Sequence, residues 1–234
     1  MTNQVLIVGG TAGIGRELAA AYARRGTSVV IAGRDGARAE KVAADIGSDA
    51  GTAAVRGIAV DLSRPAEITA ALAGIDQVDS VVLAGMQRDS NTIESYDVAG
   101  ATELAVSKIV GYTTVVHALR TRISPGGSVL LFGGMAKDAP YPGSTTVSAV
   151  NAGVVGLVAT LAKELAPVRV NAIHPGAVGD SPFWAGKTQF LEVARGRTLT
   201  GALPTMEDIV EGSLFLLGNP AANGVNLSLT GGLA

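Results

Sequence analysis

The chain has 234 residues, 47% of them hydrophobic and 16% charged, with a net charge of −2. That balance fits one α/β domain with a substantial core and excludes a strongly basic nucleic-acid-binding surface. There is no cysteine, so disulfides, thiolate nucleophiles and thiolate metal sites are excluded, and two distant histidines without an acidic cluster predict no metal.

The elements alternate from the start. Val5-Leu6-Ile7-Val8 reads as a buried strand, Gly9 to Gly15 as a glycine turn, and Arg16 to Ala23 as a helix. Thr27 to Ala32 is a second strand, followed by a helix near 36–46. Val55 to Val60 is a third strand, ending at Asp61-Leu62, with a short helix from Pro65 to about Ala73. Asp79 to Gly85 is the fourth strand, and a long helix is expected from Ser95 to Arg122. Ser128 to Phe132 is the fifth strand, Thr145 to Ala166 a long helix rich in small residues, and Val168 to Ile173 the sixth strand. Residues 179–204 have no strong period and hold the only Trp, so they read as a loop or lid. Thr205 to Leu217 is the last helix and Val225 to Leu229 the seventh strand. This alternation predicts a single α/β domain over residues 1–234, a doubly wound parallel sheet with helices on both faces. No apolar run in the sequence approaches bilayer-spanning length, and the start of the chain lacks a signal-peptide pattern. The expectation is a cytoplasmic protein with a small-molecule substrate and no nucleic-acid or membrane partner.

The glycine turn Gly9-Gly10-Thr11-Ala12-Gly13-Ile14-Gly15 lies between a strand and a helix. Bare backbone N–H groups and a helix dipole there favour a phosphate, and the glycines let the backbone approach it. The tip of the second strand decides which dinucleotide. A carboxylate there binds a ribose 2′-hydroxyl, but this chain has Gly33 followed by Arg34. A guanidinium holds a 2′-phosphate bidentately, so the pair predicts NADP(H), with Thr11 adding a hydroxyl. An ordinary solvated arginine is the alternative. Asp61 is placed to meet the adenine edge or to cap a helix.

The residues Gly9, Gly13, Gly15, Asp61-Leu62, Ala84-Gly85, Asn171 to Gly176 and Thr230-Gly231-Gly232 together resemble the short-chain dehydrogenase/reductase family nearly end to end. The resemblance implies strand order 3-2-1-4-5-6-7, a nicotinamide coenzyme and a homodimer or homotetramer. It also implies a coenzyme-binding set of Gly9, Thr11, Gly13, Ile14, Gly15, Arg34, Asp61, Leu62, Ala84, Gly85, Asn151, Pro175, Gly176 and Val178.

The family's catalysis uses an Asn, a Ser and a Tyr-x-x-x-Lys. Aligned through Ala152-Gly153-Val154-Val155-Gly156-Leu157, the Tyr position holds Val147 and the Lys position Asn151. Counting back to the Ser gives Gly134, and a glycine match at Gly111 puts Lys108 at the Asn position. On this alignment Lys and Asn have exchanged places. Lys108, Asn151 and Tyr141 are then the candidates for chemistry, with Tyr141 expected before the helix because Pro142-Gly143 follow it. Lys108 either enters the pocket or is a solvated helix lysine. His174 is read as structural, His117 as packing or interface, and Asp180 as a nicotinamide contact or a turn cap with Ser181. Tyr96, Lys137 and Asp138 lie on loops where ligands of such a fold bind. Three functions follow: an NADP(H)-dependent oxidoreductase acting on an imine or enone, an inactive NADP(H)-binding sensor or partner protein, or a lyase or isomerase.

Overall fold

The computed structural model describes residues 4–51, 53–87 and 89–232. Its strands are β1 (Gln4–Val8), β2 (Ser28–Gly33), β3 (Val55–Ala59), β4 (Val78–Leu83), β5 (Ile123–Phe132), β6 (Arg169–Pro175) and β7 (Asn226–Leu229). They form one seven-stranded sheet in the order β3-β2-β1-β4-β5-β6-β7, every neighbouring pair parallel. The register pairs Val8 with Ala32 on one side and with Leu83 on the other, so the carboxyl ends of β2, β1 and β4 line up.

The apolar strands feed two cores at once, because successive side chains point to opposite faces. Leu6, Val8, Val81, Leu83, Val129 and Leu131 pack beneath α3 (Pro65–Ala71), α5 (Tyr112–Leu119) and α6 (Thr145–Glu164). Val5, Ile7, Val29, Ile31, Leu130 and Ile173 pack beneath α1 (Gly13–Arg24), α2 (Gly36–Ala50) and α8 (Met206–Gly218). Remaining are α4 (Val98–Ala105) and α7 (Thr188–Gly196).

Three expectations change. The long helix before β5 runs from Val98 to Leu119, shorter than expected at both ends, and α4 and α5 are joined without a break by a π-helical turn over Val106–Gly111. Gly111 explains the close packing there, because a Cβ on it would sit 2.4 Å from the Leu62 carbonyl oxygen. A wide turn spends one extra residue per turn and so rotates the side chains that follow. Second, the 179–204 segment is not all loop, since it carries the 3-10 turn Pro182–Trp184 and α7. Third, α6 has the length and mean hydropathy of a membrane span, although Thr, Ser and Asn residues interrupt the apolar run in the sequence. In the fold its Val150, Val154 and Val158 are buried.

Candidate active site

The glycine turn is built by close backbone approach. Gly9 has φ +90°, and a Cβ there would lie 2.2 Å from the Gly85 nitrogen; one on Gly15 would lie 2.2 Å from the Gly9 oxygen. Gly9 and Gly10 donate their N–H groups to the Ala32 carbonyl, which ties the turn to β2. The turn then opens α1, whose N-cap Ala12 offers no side-chain acceptor and whose first turn carries no acid. Its N-terminal amides are therefore available to an anion. These residues fit the pyrophosphate of a dinucleotide: the missing Cβ atoms let the turn pack directly on the Gly85 main chain and on its own Gly9 carbonyl, beside the uncapped first amides of α1.

At the tip of β2, Gly33 is closed by a neighbour. A Cβ on Gly33 would fall 2.7 Å from Thr11 Cγ2 and 3.3 Å from Thr11 Oγ1. An aspartate has no room there unless Thr11 moves. Arg34 beside it is exposed and donates to Gln87 Oε1 at 3.2 Å, reaching across to the loop after β4. Asp35 accepts from Arg38 N–H and caps α2. Asp61 accepts from the N–H and hydroxyl of Ser63 at 2.9 and 2.7 Å. The N-cap of α3 is Arg64, so Asp61 caps a turn and not the helix.

The carboxyl ends of β4, β5 and β6 hold the second group of residues. Ala84 and Gly85 both donate to the Val8 carbonyl at 2.9 Å. Lys108 is 1% exposed, which removes the solvated reading; its Nζ lies 3.8 Å from Met86 Sδ and 5.6 Å from the centroid of the Tyr112 ring. Tyr112 donates its hydroxyl to the Gly85 carbonyl at 2.9 Å, and burial pushes its pKa far up. It is a phenol near the site that no motif in the sequence singles out. Asn151 is 3% exposed and faces Gly134, where a Cβ would lie 2.8 Å from its Nδ2. Val147 sits one turn earlier on α6, half-buried.

His174 is fully buried at the end of β6. Its Nδ1 accepts the Gly134 N–H at 3.2 Å and its Nε2 lies 3.0 Å from Asn226 Oδ1, so Nε2 carries the proton. Burial lowers its pKa, which the Asn226 bond partly opposes. Both ring nitrogens are thereby spent on the scaffold. Pro175 ends β6, Gly176 donates to the Leu229 carbonyl at 2.9 Å, and Val178 is buried behind them.

Other candidates fall at the rim. Tyr141 is 56% exposed in the turn before α6, where its N–H and carbonyl both bond the Ser144 hydroxyl. Lys137 pairs with Asp138. Tyr96 is exposed, and His117 lies on the outer face of α5 beside Val110 and Thr114. Asp180 accepts from Met206 N–H at 2.7 Å and so pins the lid to α8, in place of capping Ser181. In the lid, Trp184 stacks on Phe190 at 4.2 Å and meets Phe183 edge-on at 4.6 Å, while Lys187 Nζ lies 3.9 Å from the Phe183 centroid.

One further network has no signal in the sequence pattern. Buried Asn91 donates to Asp89 Oδ2 at 2.5 Å, reaches Thr146 Oγ1 at 3.4 Å and accepts Asp97 N–H at 2.7 Å. It fastens the loop after β4 to the start of α6. Among the described residues, Asp89 Oδ1 is buried without a hydrogen-bond partner.

A family model described as short chain dehydrogenase matches residues 3–191. Carbonyl reductase family member 4 of Danio rerio is 28% identical over 241 residues, covering 100% of this chain and 98% of the relative. The inactive 2-(S)-hydroxypropyl-CoM dehydrogenase 2 of Xanthobacter autotrophicus is 29% identical, covering 92% and 99%. Among solved structures, the MalC reductase/Diels-Alderase of Malbranchea aurantiaca superimposes with a TM-score of 0.88 at 25% identity, covering 97% of this chain and 95% of that one. A glycine cradle at the start of α1, a parallel sheet in this strand order and a family match over most of the length agree, and the chain belongs to the short-chain dehydrogenase family, whose members bind nicotinamide coenzymes.

Proposed function

We propose that the chain is an NADP(H)-dependent oxidoreductase that moves a hydride to or from a small organic substrate through a non-standard site, with imines and enones favoured over simple carbonyls. The observation that carries it is the tip of β2, where the Thr11 methyl fills the space a carboxylate needs and Arg34 stands next to it. A 2′-phosphate finds a cation there and no acid at the Gly33 position, and the neighbouring Asp35 is turned to cap α2.

The turn Gly9 to Gly15 and the first amides of α1 would hold the pyrophosphate. Thr11 and Arg34 would hold the 2′-phosphate, Asp61 and Leu62 the adenine. Ala84, Gly85, Asn151, Pro175, Gly176 and Val178 would hold the nicotinamide end. When bound, the nicotinamide ring supplies or accepts the hydride. Gly134 and Val147 offer no hydroxyl to a substrate oxygen, and this favours substrates whose reduction does not need a phenol. Lys108, Asn151 and Tyr141 are the polar side chains left to orient a substrate or pass a proton. The test is to confirm NADPH binding and then follow coenzyme absorbance against carbonyl, imine and enone panels. Coenzyme binding with no turnover on any panel would sink the oxidoreductase reading.

The second reading is an inactive NADP(H)-binding sensor or partner, favoured by the joint presence of Gly134, Val147 and Asn151 and by similarity to a relative named as inactive. A lyase or isomerase is the third; similarity to a protein named both reductase and Diels-Alderase supports non-redox chemistry on this fold. We place the protein in the cytoplasm. We also propose a homodimer or homotetramer, since α6 exposes Ala149, Ala152, Gly156 and Ala159, and Val98 and Val110 are exposed on the neighbouring helical segments.

A further inference from the structure

Residues 181–203, between β6 and α8, include no buried residue. Hydrogen bonds fasten this segment at its two ends. At its base, Gly179 donates its N–H to the Pro204 carbonyl at 2.8 Å and Asp180 accepts the Met206 N–H at 2.7 Å, so the way in and the way out are stapled together. At its far end, Leu199 donates its N–H to the Gly232 carbonyl at 2.7 Å and Thr200 donates its N–H to the Gly231 carbonyl at 3.0 Å. The Thr200 hydroxyl bonds that same Gly231 carbonyl at 3.0 Å, across a separation of 31 residues. The turn after β7 can receive these bonds because it is made of glycine. Gly231 has φ +73° and a Cβ there would lie 2.4 Å from the Ala202 carbonyl oxygen; Gly232 has φ +75° and a Cβ there would lie 3.0 Å from Leu199 Cβ.

The junction has little packing behind it. Leu199 is 78% exposed, and a cavity of about 420 Å³ opens beside it, lined in part by Thr200, Leu203, Gly212, Leu229 and Gly231. Between the two attachments, α7 bonds within itself and its flanks: Leu191 N–H to the Lys187 carbonyl, Arg195 to Glu192, and Arg197 N–H to the Ala194 carbonyl. It has nine residues, none of them buried, and a helix so short is marginal in water unless its surroundings hold it. The Trp184 ring stacked on Phe190 braces its start. The bonds to Gly231 and Gly232 brace its end.

We propose that the Gly231-Gly232 turn is the latch of the lid: while it holds Leu199 and Thr200, α7 stays folded, and when it lets go, residues 181–198 open as a unit at the edge of the sheet where this fold binds ligands. Thr200 is a positioning residue, tied to the latch by both its N–H and its hydroxyl. Leu199, Thr200 and Gly232 are exposed, so water competes for each bond. One such bond shifts an opening equilibrium by roughly fivefold. The latch stands independently of the coenzyme reading above.

The experiment is amide hydrogen exchange, with limited trypsin digestion, on the full chain without coenzyme, for the natural protein, Thr200→Val and Gly231→Ala. The amides of α7 should exchange about fivefold faster in T200V and at least about tenfold faster in G231A. Cleavage after Arg195 and Arg197 should quicken with them, while the amides of β5 and β6 keep their natural rates. Acceleration confined to the lid in either variant supports the latch. Unchanged exchange of α7 in both variants overturns it, and so does acceleration that spreads equally through β5 and β6, which reports a general loss of stability. Should G231A not fold, T200V decides alone, since it keeps the glycines and both backbone bonds and removes only the hydroxyl.

Discussion

The carboxyl ends of β1, β2 and β3 and those of β4, β5 and β6 share one edge of the sheet, yet they are built by different means. The first region is made of backbone. Its shape comes from glycines that allow contacts no Cβ would permit, at Gly9 and Gly15, and from amides at the start of α1. The second region is made of side chains: Lys108, Asn151, Tyr112 and His174 are buried there, each placed by a different helix or strand. Backbone geometry tolerates almost no change, because a clash with main chain cannot relax. Side-chain chemistry can be exchanged while the frame stays. The family's fold is kept here, and we propose that the groups around the reacting position are where this chain departs from the family's pattern.

The sharpest way to break this contrast is Gly9→Ala. The added Cβ would lie 2.2 Å from a backbone nitrogen on a residue with φ +90°, so we expect a loss on the order of 3 kcal/mol in urea unfolding, together with loss of coenzyme binding. A G9A protein of natural stability would show that the two loops are not in contact.

At the β2 tip, Arg34→Ala is expected to weaken NADPH by about ten- to hundredfold while leaving NADH nearly unchanged, since only the former carries the phosphate. Gly33→Asp alone should lose NADPH without gaining NADH, because Thr11 occupies the space; Gly33→Asp with Thr11→Gly should gain NADH. Titration of both coenzymes reads each outcome.

The catalytic region is sharpened by restoring the family residues. Gly134→Ser, Val147→Tyr and Asn151→Lys must be made together, since a Cβ at Gly134 meets Asn151 Nδ2 at 2.8 Å. Gain of carbonyl reduction from a null background favours the sensor reading; loss of an existing activity sinks it.

The smallest effect concerns pH. Burial holds the His174 pKa below its ordinary value, so the unfolded chain binds that proton more readily than the folded one. Stability is then full above the unfolded value of about 6.5 and falls as pH drops below it toward the folded value. Melting temperature should decline by a few degrees between about pH 6.5 and 5.5, and His174→Asn should melt lower but with a flatter profile. A natural protein with a flat profile through this window would contradict the buried neutral imidazole.

The sequence alone determined the strand order through its family resemblance, the glycine turn, and the identity of Gly33-Arg34, because these depend on local pattern and on residues adjacent in the chain. Hydrophobic runs of strand length between helical stretches admit few arrangements other than a parallel sheet. It also placed Tyr141 ahead of α6 through Pro142-Gly143, and His174 in a structural role. Tertiary structure decided the rest. Whether Lys108 was solvated or buried turned on a π-helical turn, which ends at Gly111 packed against the Leu62 carbonyl, a residue far away in sequence. The same holds for Thr11 filling the space beside Gly33, for Asp180 bonding to Met206, and for the Asn91 network that no spacing announced. Local pattern sets which way a segment folds; only the packed molecule sets which side chains meet.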